Sequence, residues 1–327
     1  MHTARTYKTV AAGSAAVVAA ALIAGCGASK TASGSNTAGS SGGSTAASTG
    51  GSGGGGGGSS KTITIPTASG WDEDVAVSYL WKYVLEQKGY TVKLPSLDIG
   101  VIFNGISQGT GSNADLFFDT WLPKTHAPYW KKIHNKVEDL DVWYDQATLN
   151  IAVPTYLKDI NSIADLKGKA SEFDGKITGI DPGAGLTRVT KEAIKTYGLN
   201  DYTLQTSSTA AMLAALKSAT DAKKPIVVTL WHPHWAYSAF PIKDLKDPKH
   251  AMGGAEKIHA IARQGFSQDY PKVAKAVKSF KMDDKTLASL ELQVVQKHKD
   301  NPDEGIQAWI KTSQGKQAVN QIENAMK

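Results

Sequence analysis

From residue 61 onwards, short apolar runs alternate with segments whose apolar residues recur at helical spacing. The runs predict six strands, at 62–66, 114–118, 149–153, 176–180, 225–230 and 257–261. The helical spacing predicts helices over 187–197 and 208–220. Strands that alternate with helices are typical of an α/β fold, in which parallel sheets carry helices on both faces.

The best-defined predicted helix follows the first strand. Asp72 is expected to cap its N-terminus, and Gly89 lies where a C-terminal cap is expected. One face of this helix is apolar and consists of Val75, Ala76, Tyr79, Leu80, Tyr83 and Val84. Beyond about residue 267 the helical spacing recurs in 269–280, 284–297 and 303–326, which predicts an entirely helical C-terminal part.

The first 25 residues have the pattern of a secretory signal. Arg5 and Lys8 precede an apolar stretch from about residue 15 to residue 24, which is too short for a permanent membrane helix. The stretch ends in Ile-Ala-Gly-Cys and resembles the lipobox of bacterial lipoproteins. This resemblance implies that Cys26 becomes the acylated first residue of the mature chain. A buried cysteine in an ordinary apolar segment is the alternative.

Residues 27–60 form a low-complexity segment. It contains 13 Gly and 10 Ser among 34 residues, and Lys30 carries its only charge. Such a sequence cannot bury enough apolar surface to offset its chain entropy, so we expect a flexible tether. A chain of this length has a typical span of about 30 Å. A spacer that only sets a distance is an equal alternative.

Length, charge and cysteine content exclude several classes of protein. The 327 residues suit two lobes of about 100 to 200 residues each. Lys and Arg number 36 against 30 Asp and Glu, but no block concentrates the excess, so we expect no nucleic-acid partner. Cys26 is the only cysteine, so neither an intramolecular disulfide nor a Cys-based zinc cluster can form.

The common enzyme motifs are missing from the sequence. No GxxxxGK[ST], GxSxG or HExxH pattern occurs. The segment GIDPGAGL at 179–186 lets the backbone approach a ligand, and the helix after it would direct free N–H groups at an anion. A plain glycine turn is an equally good interpretation. His232 and His234 form an HxH pair, but no neighbouring Asp, Glu or Cys completes a metal-ligand set.

Three of the eight tryptophans follow predicted strands. Trp71, Trp121 and Trp231 each come just after such a run. Ligands of parallel sheets bind outside the carboxyl ends of the strands, so three indoles there would wall one pocket. An aromatic cage is a common way to hold a cation that donates no hydrogen bonds. The alternative is that each indole fills the core.

Four motifs in a consistent order carry a family resemblance. GWDEDVA at 70–76, FFDTWLPKTH at 117–126, GIDPGAGLT at 179–187 and TLWHPHW at 229–235 resemble the substrate-binding proteins of glycine betaine/proline betaine ABC importers. The likeness runs over about 62–327. It implies a class II periplasmic-binding-protein fold, in which two α/β lobes enclose a ligand cleft.

The resemblance also implies lobe boundaries and a ligand-binding set. The lobes would be 61–153 plus 260–327 and 154–259, with crossings near 153–156 and 258–262. Six residues would contact the ligand: Trp71, Trp121, His126, Gly185, Leu186 and Trp231. The three indoles would box a trimethylammonium group, while the His126 ring and two backbone N–H groups would hold a carboxylate. His234 and Trp235 are expected to support the loop instead.

By the same resemblance the protein is a receptor and not an enzyme, with no cofactor and no metal. Its ligand would be glycine betaine, proline betaine, carnitine or choline, and its partners an ABC permease and its ATPase subunit. Leu230 and His232 depart from the family pattern, so the choice among these solutes stays open. The expected location is the extracytoplasmic face of the cell membrane, held by the lipid on Cys26.

Two alternatives from other classes stay open. One is a metal-binding receptor lipoprotein that uses His126, His232 and His234. The other is a hydrolase or transferase in which His126 works with Asp119 or Asp72 as acid and base.

Cys26→Ala is expected to release the protein from the membrane in a form that still binds its ligand. The variant has no thiol to acylate, and no other apolar run approaches the length of a membrane span. Cell fractionation followed by immunoblotting measures the distribution. Retention of the variant in the membrane fraction would contradict the lipobox assignment.

Overall fold

The computed structural model of the protein describes residues 62–327. The predicted signal segment 1–25, Cys26 and the tether 27–60 lie outside the described residues. Within the described part, no helix is both long enough and apolar enough to cross a membrane.

Residues 62–327 form eleven strands, most of them short. They are Thr62–Thr64 (β1), Thr67–Ala68 (β2), Thr91–Lys93 (β3), Ser96–Leu97 (β4), Leu116–Leu122 (β5), Val137–Pro154 (β6), Lys176–Thr178 (β7), Thr203–Gln205 (β8), Val228–His232 (β9), Ile242–Asp244 (β10) and Glu256–Arg263 (β11). All six predicted strands are present; five have ends displaced by a few residues, while β6 begins twelve residues before the predicted strand at 149–153. The short strands β2, β3, β4, β8 and β10 were not predicted.

The same residues form eleven α-helices. They are Asp72–Gln87 (α1), Ile99–Ile106 (α2), Ala127–Ile133 (α3), Gly185–Tyr197 (α4), Thr209–Asp221 (α5), Ala236–Ala239 (α6), Phe266–Asp269 (α7), Pro271–Ser279 (α8), Asp284–Glu291 (α9), Pro302–Trp309 (α10) and Ser313–Ala325 (α11). Short 3₁₀ helices occur at Ile163–Leu166 and Ala170–Phe173, and a π-helical segment at Leu292–Lys297 extends α9. The predicted helices are confirmed, including the helical C-terminal part.

The main sheet is mixed, so the expectation of parallel sheets was wrong for its central strands. Its order is β5-β11-β6-β9-β7-β8, and β10 also pairs with β6. β6 runs antiparallel to β11, β9 and β10, and β11 runs antiparallel to β5. Only β7 pairs in parallel, with β8 and β9. Two small parallel pairs, β1 with β3 and β2 with β4, lie outside this sheet.

The long strand β6 explains why the prediction failed. Only its apolar end at 149–153 was predicted, because the preceding residues VEDLDVWYDQAT mix charged and apolar side chains. β6 pairs with β11 as far as Ala147 and with β9 from Thr148 onwards. β6 therefore links the part of the sheet that contains β5 and β11 to the part that contains β9, β7 and β8. It runs antiparallel to both of its neighbours, β11 and β9. Its register places Leu149 opposite Trp231.

The start of α1 differs from the prediction in one respect. Trp71, and not Asp72, is the N-cap, and no side chain caps the helix. Asp72 is already the first residue of the helix, and its carboxylate accepts a hydrogen bond from the Trp235 indole. Gly89 follows the C-cap with φ +82°, a left-handed conformation that favours glycine, so the predicted helix end is confirmed.

The core joins α1 to the main sheet through stacked aromatic rings. Trp81 on α1 is fully buried. Its ring stacks on Phe118 of β5 at 5.3 Å and meets the edge of Phe280, which follows α8, at 5.5 Å. These contacts fix α1, and with it the residues at the start of α1, against β5.

Trp81→Ala is expected to lower the free energy of unfolding by about 3 to 5 kcal/mol, because it leaves a large cavity between α1 and β5. Urea denaturation followed by circular dichroism measures the loss. Val101→Ala is a matched control, since Val101 is 45% exposed and its truncation should cost less than about 0.5 kcal/mol. An equal loss in both variants would contradict this account of the core.

Candidate ligand-binding site

A cavity enclosing about 270 Å³ of space between atoms, part of it open to solvent, lies where the start of α1, the end of β5, the start of α4 and strand β9 meet. Nine residues line it: Trp71, Glu73, Trp121, Thr125, His126, Leu149, Ile180, Leu186 and Trp231. Five of the six predicted ligand-binding residues are among them. The sixth, Gly185, starts α4 beside Leu186.

The three predicted cage tryptophans are all buried around this cavity. Trp71 precedes α1, and its ring lies parallel to that of His126 with centroids 5.6 Å apart. Trp121 is on β5 opposite Ile258, and Trp231 is on β9. The three indoles therefore come together from distant parts of the chain, although Trp121 and Trp231 lie within β5 and β9 and not after them, and these strands pair antiparallel with β11 and β6.

Two of these indoles have their N–H groups occupied by carboxyl groups. Trp121 Nε1 donates to Asp119 Oδ1 at 2.7 Å, and Trp231 Nε1 donates to Glu73 Oε2 at 2.9 Å. What these two residues offer to the cavity is therefore the ring surface. A ring surface attracts a cation through the negative face of its π system.

His126 presents a single free hydrogen-bond donor. Its Nδ1 accepts the backbone N–H of Trp121 at 2.9 Å, so in the neutral ring the proton is on Nε2. Burial, aided by the positive charge of Arg188, lowers the pKa of His126 to about 3, so the ring is neutral at physiological pH. Nε2 is buried and has no partner among the described residues. A buried donor in a cavity wall calls for an acceptor from the ligand.

The start of α4 contributes further donors. Ala184 is its N-cap, so the N–H groups of Gly185 and Leu186 are in the first turn, where no intrahelical partner exists. The helix dipole adds positive potential there. Gly185 allows a close approach, because a Cβ at this position would lie 2.4 Å from the carbonyl oxygen of Thr125. The helix start is thereby held against the segment that carries His126.

Acidic side chains surround the cage, a feature that the sequence did not reveal. Glu73 lines the cavity and is buried; burial, together with Asp119 and Glu291, raises its pKa well above the usual range. Asp119 is fully buried, and burial raises its pKa to about 7 although the Trp121 indole opposes the shift. The sequence signal for Glu73 was only its position two residues after Trp71. Leu149 was missed because its place depends on the register of β6.

His234 and Trp235 stay outside the cavity lining, in keeping with a supporting role. The His234 ring meets the Trp231 ring edge-on at 4.6 Å, and its Nδ1 accepts the backbone N–H of Ala236. Trp235 donates its indole N–H to Asp72. The two residues thus brace the segment after β9 against the start of α1.

The structure offers little to the alternative interpretations. His232 Nε2 lies 2.8 Å from Asp244, away from the cavity lining, and residues 62–327 contain no group of three or more His, Cys, Asp or Glu suited to a metal ion. For acid–base catalysis His126 would need a carboxyl partner. Asp119 and Asp72 are bonded to tryptophan indoles, and in the described chain no carboxyl is hydrogen-bonded to His126.

Comparisons with known proteins agree with this geometry. A protein-family model, OpuAC, described as the substrate binding domain of ABC-type glycine betaine transport system, matches residues 61–312. The glycine betaine/carnitine transport binding protein GbuC of Listeria monocytogenes is 41% identical over 154 residues, which is 46% of this chain and 51% of that protein. The chain therefore matches about half the length of this curated relative.

Two solved structures each match most of the chain. The glycine betaine, L-proline-binding protein ProX from Borrelia burgdorferi has a TM-score of 0.73 at 29% identity, over 81% of this chain and all of that one. Lactococcal OpuAC, solved in its closed conformation with glycine betaine, has a TM-score of 0.73 at 31% identity, over 81% of this chain and 99% of that one. These neighbours confirm the periplasmic-binding-protein fold. The chain belongs to the OpuAC family, the substrate-binding domains of ABC-type glycine betaine transport systems, which are transport binding proteins.

Proposed function

We propose that the protein is an extracytoplasmic receptor that captures glycine betaine, or a closely related quaternary ammonium zwitterion, and delivers it to an ABC permease. The observation that carries this proposal is the joining of three indoles and one free neutral N–H donor in a single small cavity. The ligands named for the relatives support it.

The cation end of the ligand suits the indoles. A trimethylammonium group has no N–H and a diffuse charge, so ring faces replace its water at modest cost. Each such contact contributes about 0.5 to 2 kcal/mol. A primary ammonium would lose its hydrogen bonds to water against the rings of Trp121 and Trp231, because an indole offers no conventional hydrogen-bond acceptor.

The carboxylate end suits the donors on the other side. His126 Nε2–H and the N–H groups of Gly185 and Leu186 are the unpaired donors that the cavity wall and the start of α4 supply. Choline has no carboxylate and would leave these donors without a partner. Zwitterions are therefore the preferred class of ligand.

A two-lobed arrangement would let the ligand drive closure. With lobes at 61–153 plus 260–327 and 154–259, Trp71, Trp121 and His126 belong to one lobe, and the donors of α4 and Trp231 to the other. All contacts form together only in the closed state, so binding favours closure, and the permease would recognise that state. Cys26 would hold the receptor at the membrane surface through its lipid.

Replacing any cage indole is expected to weaken glycine betaine binding about tenfold or more. The changes are Trp71→Ala, Trp121→Ala and Trp231→Ala, each of which removes one ring face from the cation. Isothermal titration calorimetry measures the dissociation constants, and circular dichroism checks folding.

The matched control for the cage variants is Trp130→Ala. Trp130 is partly buried on α3 and does not line the cavity. Trp309 is unsuitable because it is fully buried in α10, where truncation would test stability. Unchanged affinity in two folded cage variants would show that these indoles only fill the core.

His126→Asn is expected to raise the dissociation constant of glycine betaine by about 10- to 200-fold and that of choline much less. The amide oxygen replaces Nδ1 as the acceptor for Trp121 N–H, but the Nε2–H donor to the carboxylate is lost, at a cost of about 1.5 to 3 kcal/mol. Paired titrations of wild type and variant with both ligands measure the difference. An equal loss for both would mean that His126 only shapes the segment after Trp121.

A further inference from the structure

Two indoles of the cage donate hydrogen bonds to buried acidic side chains. The N–H of Trp231 is bonded to Glu73, and the N–H of Trp121 is bonded to Asp119. Glu73 is 1% exposed and Asp119 is fully buried. Asp119 Oδ2 has no hydrogen-bond partner within the described part of the chain. Two of the three cage indoles are therefore hydrogen-bonded to carboxyl groups that are shielded from bulk water.

The groups that face these carboxyls from the packed elements are acidic or uncharged. Asp119 on β5 and Glu291 on α9 interact electrostatically with Glu73. Asp74, which is next to Glu73 on α1, interacts electrostatically with Asp119. The indoles of Trp121 and Trp231 donate hydrogen bonds to Asp119 and Glu73, respectively, and carry no charge. His126, in the cavity wall, is neutral because burial lowers its pKa to about 3. Within residues 62–327, neither Glu73 nor Asp119 forms an ion pair with Lys, Arg or His.

We propose that the receptor exchanges a proton for its cationic ligand: a proton held by the carboxyl groups of Glu73 and Asp119 leaves when a quaternary ammonium enters the indole cage. This inference rests on the proposed function, because it requires a cation in the cavity. It adds that Glu73 and Asp119 tune the cage through the indoles and that ligand capture depends on pH.

Electrostatics explains the exchange. In the empty site, two buried carboxylates that repel each other and have no counter-ion do not both stay ionised, so a proton is retained. A bound cation supplies the missing positive charge and stabilises the ionised form. An ionised carboxylate that accepts the indole N–H also makes the ring face more negative, which strengthens its attraction for the cation.

The charge and proton balance is simple. One carboxylic acid becomes a carboxylate and its proton passes to solvent, while the ligand's ammonium charge takes the place of that proton beside the cage. The ligand's own carboxylate is held by the separate donors at the other end of the cavity, and no bond to the ligand forms. Burial raises the pKa of Asp119 to about 7, so its proton is exchanged in the neutral range, and burial raises the pKa of Glu73 as well. Since binding releases the proton, lowering the pH opposes binding, by at most tenfold in affinity per pH unit for one proton.

The experiment is calorimetry at pH 7 in buffers of different ionisation enthalpy, which counts the protons released. Glycine betaine is compared with 3,3-dimethylbutanoate, in which a neutral tert-butyl carbon replaces the ammonium nitrogen and the carboxylate is kept. We expect glycine betaine to release a measurable fraction of a proton, up to one, and the carbon analogue to release none. The affinity for glycine betaine should rise from pH 6 to pH 8, while that of the analogue should not.

Two variants assign the proton. Glu73→Gln and Asp119→Asn keep an amide oxygen for the indole N–H and remove the titrating group. Each should weaken glycine betaine binding by about tenfold, leave the carbon analogue within about twofold, and reduce the proton count. Asp303→Asn is the matched control. Asp303 is an exposed carboxylate that forms an ion pair with Lys82 and does not line the cavity.

The outcomes separate the two proposals. If wild-type protein binds glycine betaine without releasing a proton, or if both variants weaken both ligands equally, the exchange is overturned and the receptor function stands. If wild-type protein binds no quaternary ammonium compound at all, the receptor function itself fails. Should the variants not fold, the comparison of the two ligands in wild-type protein still decides.

Discussion

Burial of charge is the constraint that organises this site. A quaternary ammonium can be desolvated cheaply only against aromatic faces, and a carboxylate only against donors that have no other partner. The protein satisfies both requirements through the hydrogen bonds of two indoles and one imidazole. The N–H groups of Trp121 and Trp231 are committed to Asp119 and Glu73, whereas the proton of His126 is left free because Trp121 N–H occupies Nδ1. Trp121 therefore sets both ends of the cavity, one through its backbone and one through its ring.

The sheet holds these groups in register across large distances in sequence. β6 pairs with β11 and then with β9, so the strand that places Leu149 opposite Trp231 also lies beside the strand that pairs with Trp121. The start of α1 is tied to the segment after β9 by Trp231 to Glu73 and Trp235 to Asp72. A shift of one residue in β6 would turn Leu149 and its neighbours to the other face, so the cavity depends on this register.

Much of this arrangement could be predicted from the sequence, because its elements are local. Apolar runs located six strands, helical spacing located α1, α4, α5 and the C-terminal helices, and the motifs around Trp71, Trp121 and Trp231 supplied the resemblance that located the cage. The rest depends on pairing between distant segments. The first half of β6 mixes charged and apolar residues, and its strand depends on pairing with β11. Helix α2 contains two glycines, Gly100 and Gly105, which lower its intrinsic helical propensity. Glu73 and Asp119 look like solvated acids until the fold buries them together.

Burial leaves both ends of the empty cavity close to neutral, and this bears on which ligands it accepts. His126 faces the anion end uncharged, since desolvation lowers its pKa to about 3, and the acids near the cation end are raised in pKa by the same cause. A zwitterion brings no net charge into such a site, but its ammonium end still lies at the indole faces, where an ionised carboxyl stabilises it. A simple cation brings a net positive charge and no carboxylate of its own to balance it. On the proposed exchange, each released proton creates that counter-charge at the indole N–H edge, so the same two acids that keep the empty site neutral would set how strongly choline competes with a betaine as the pH changes.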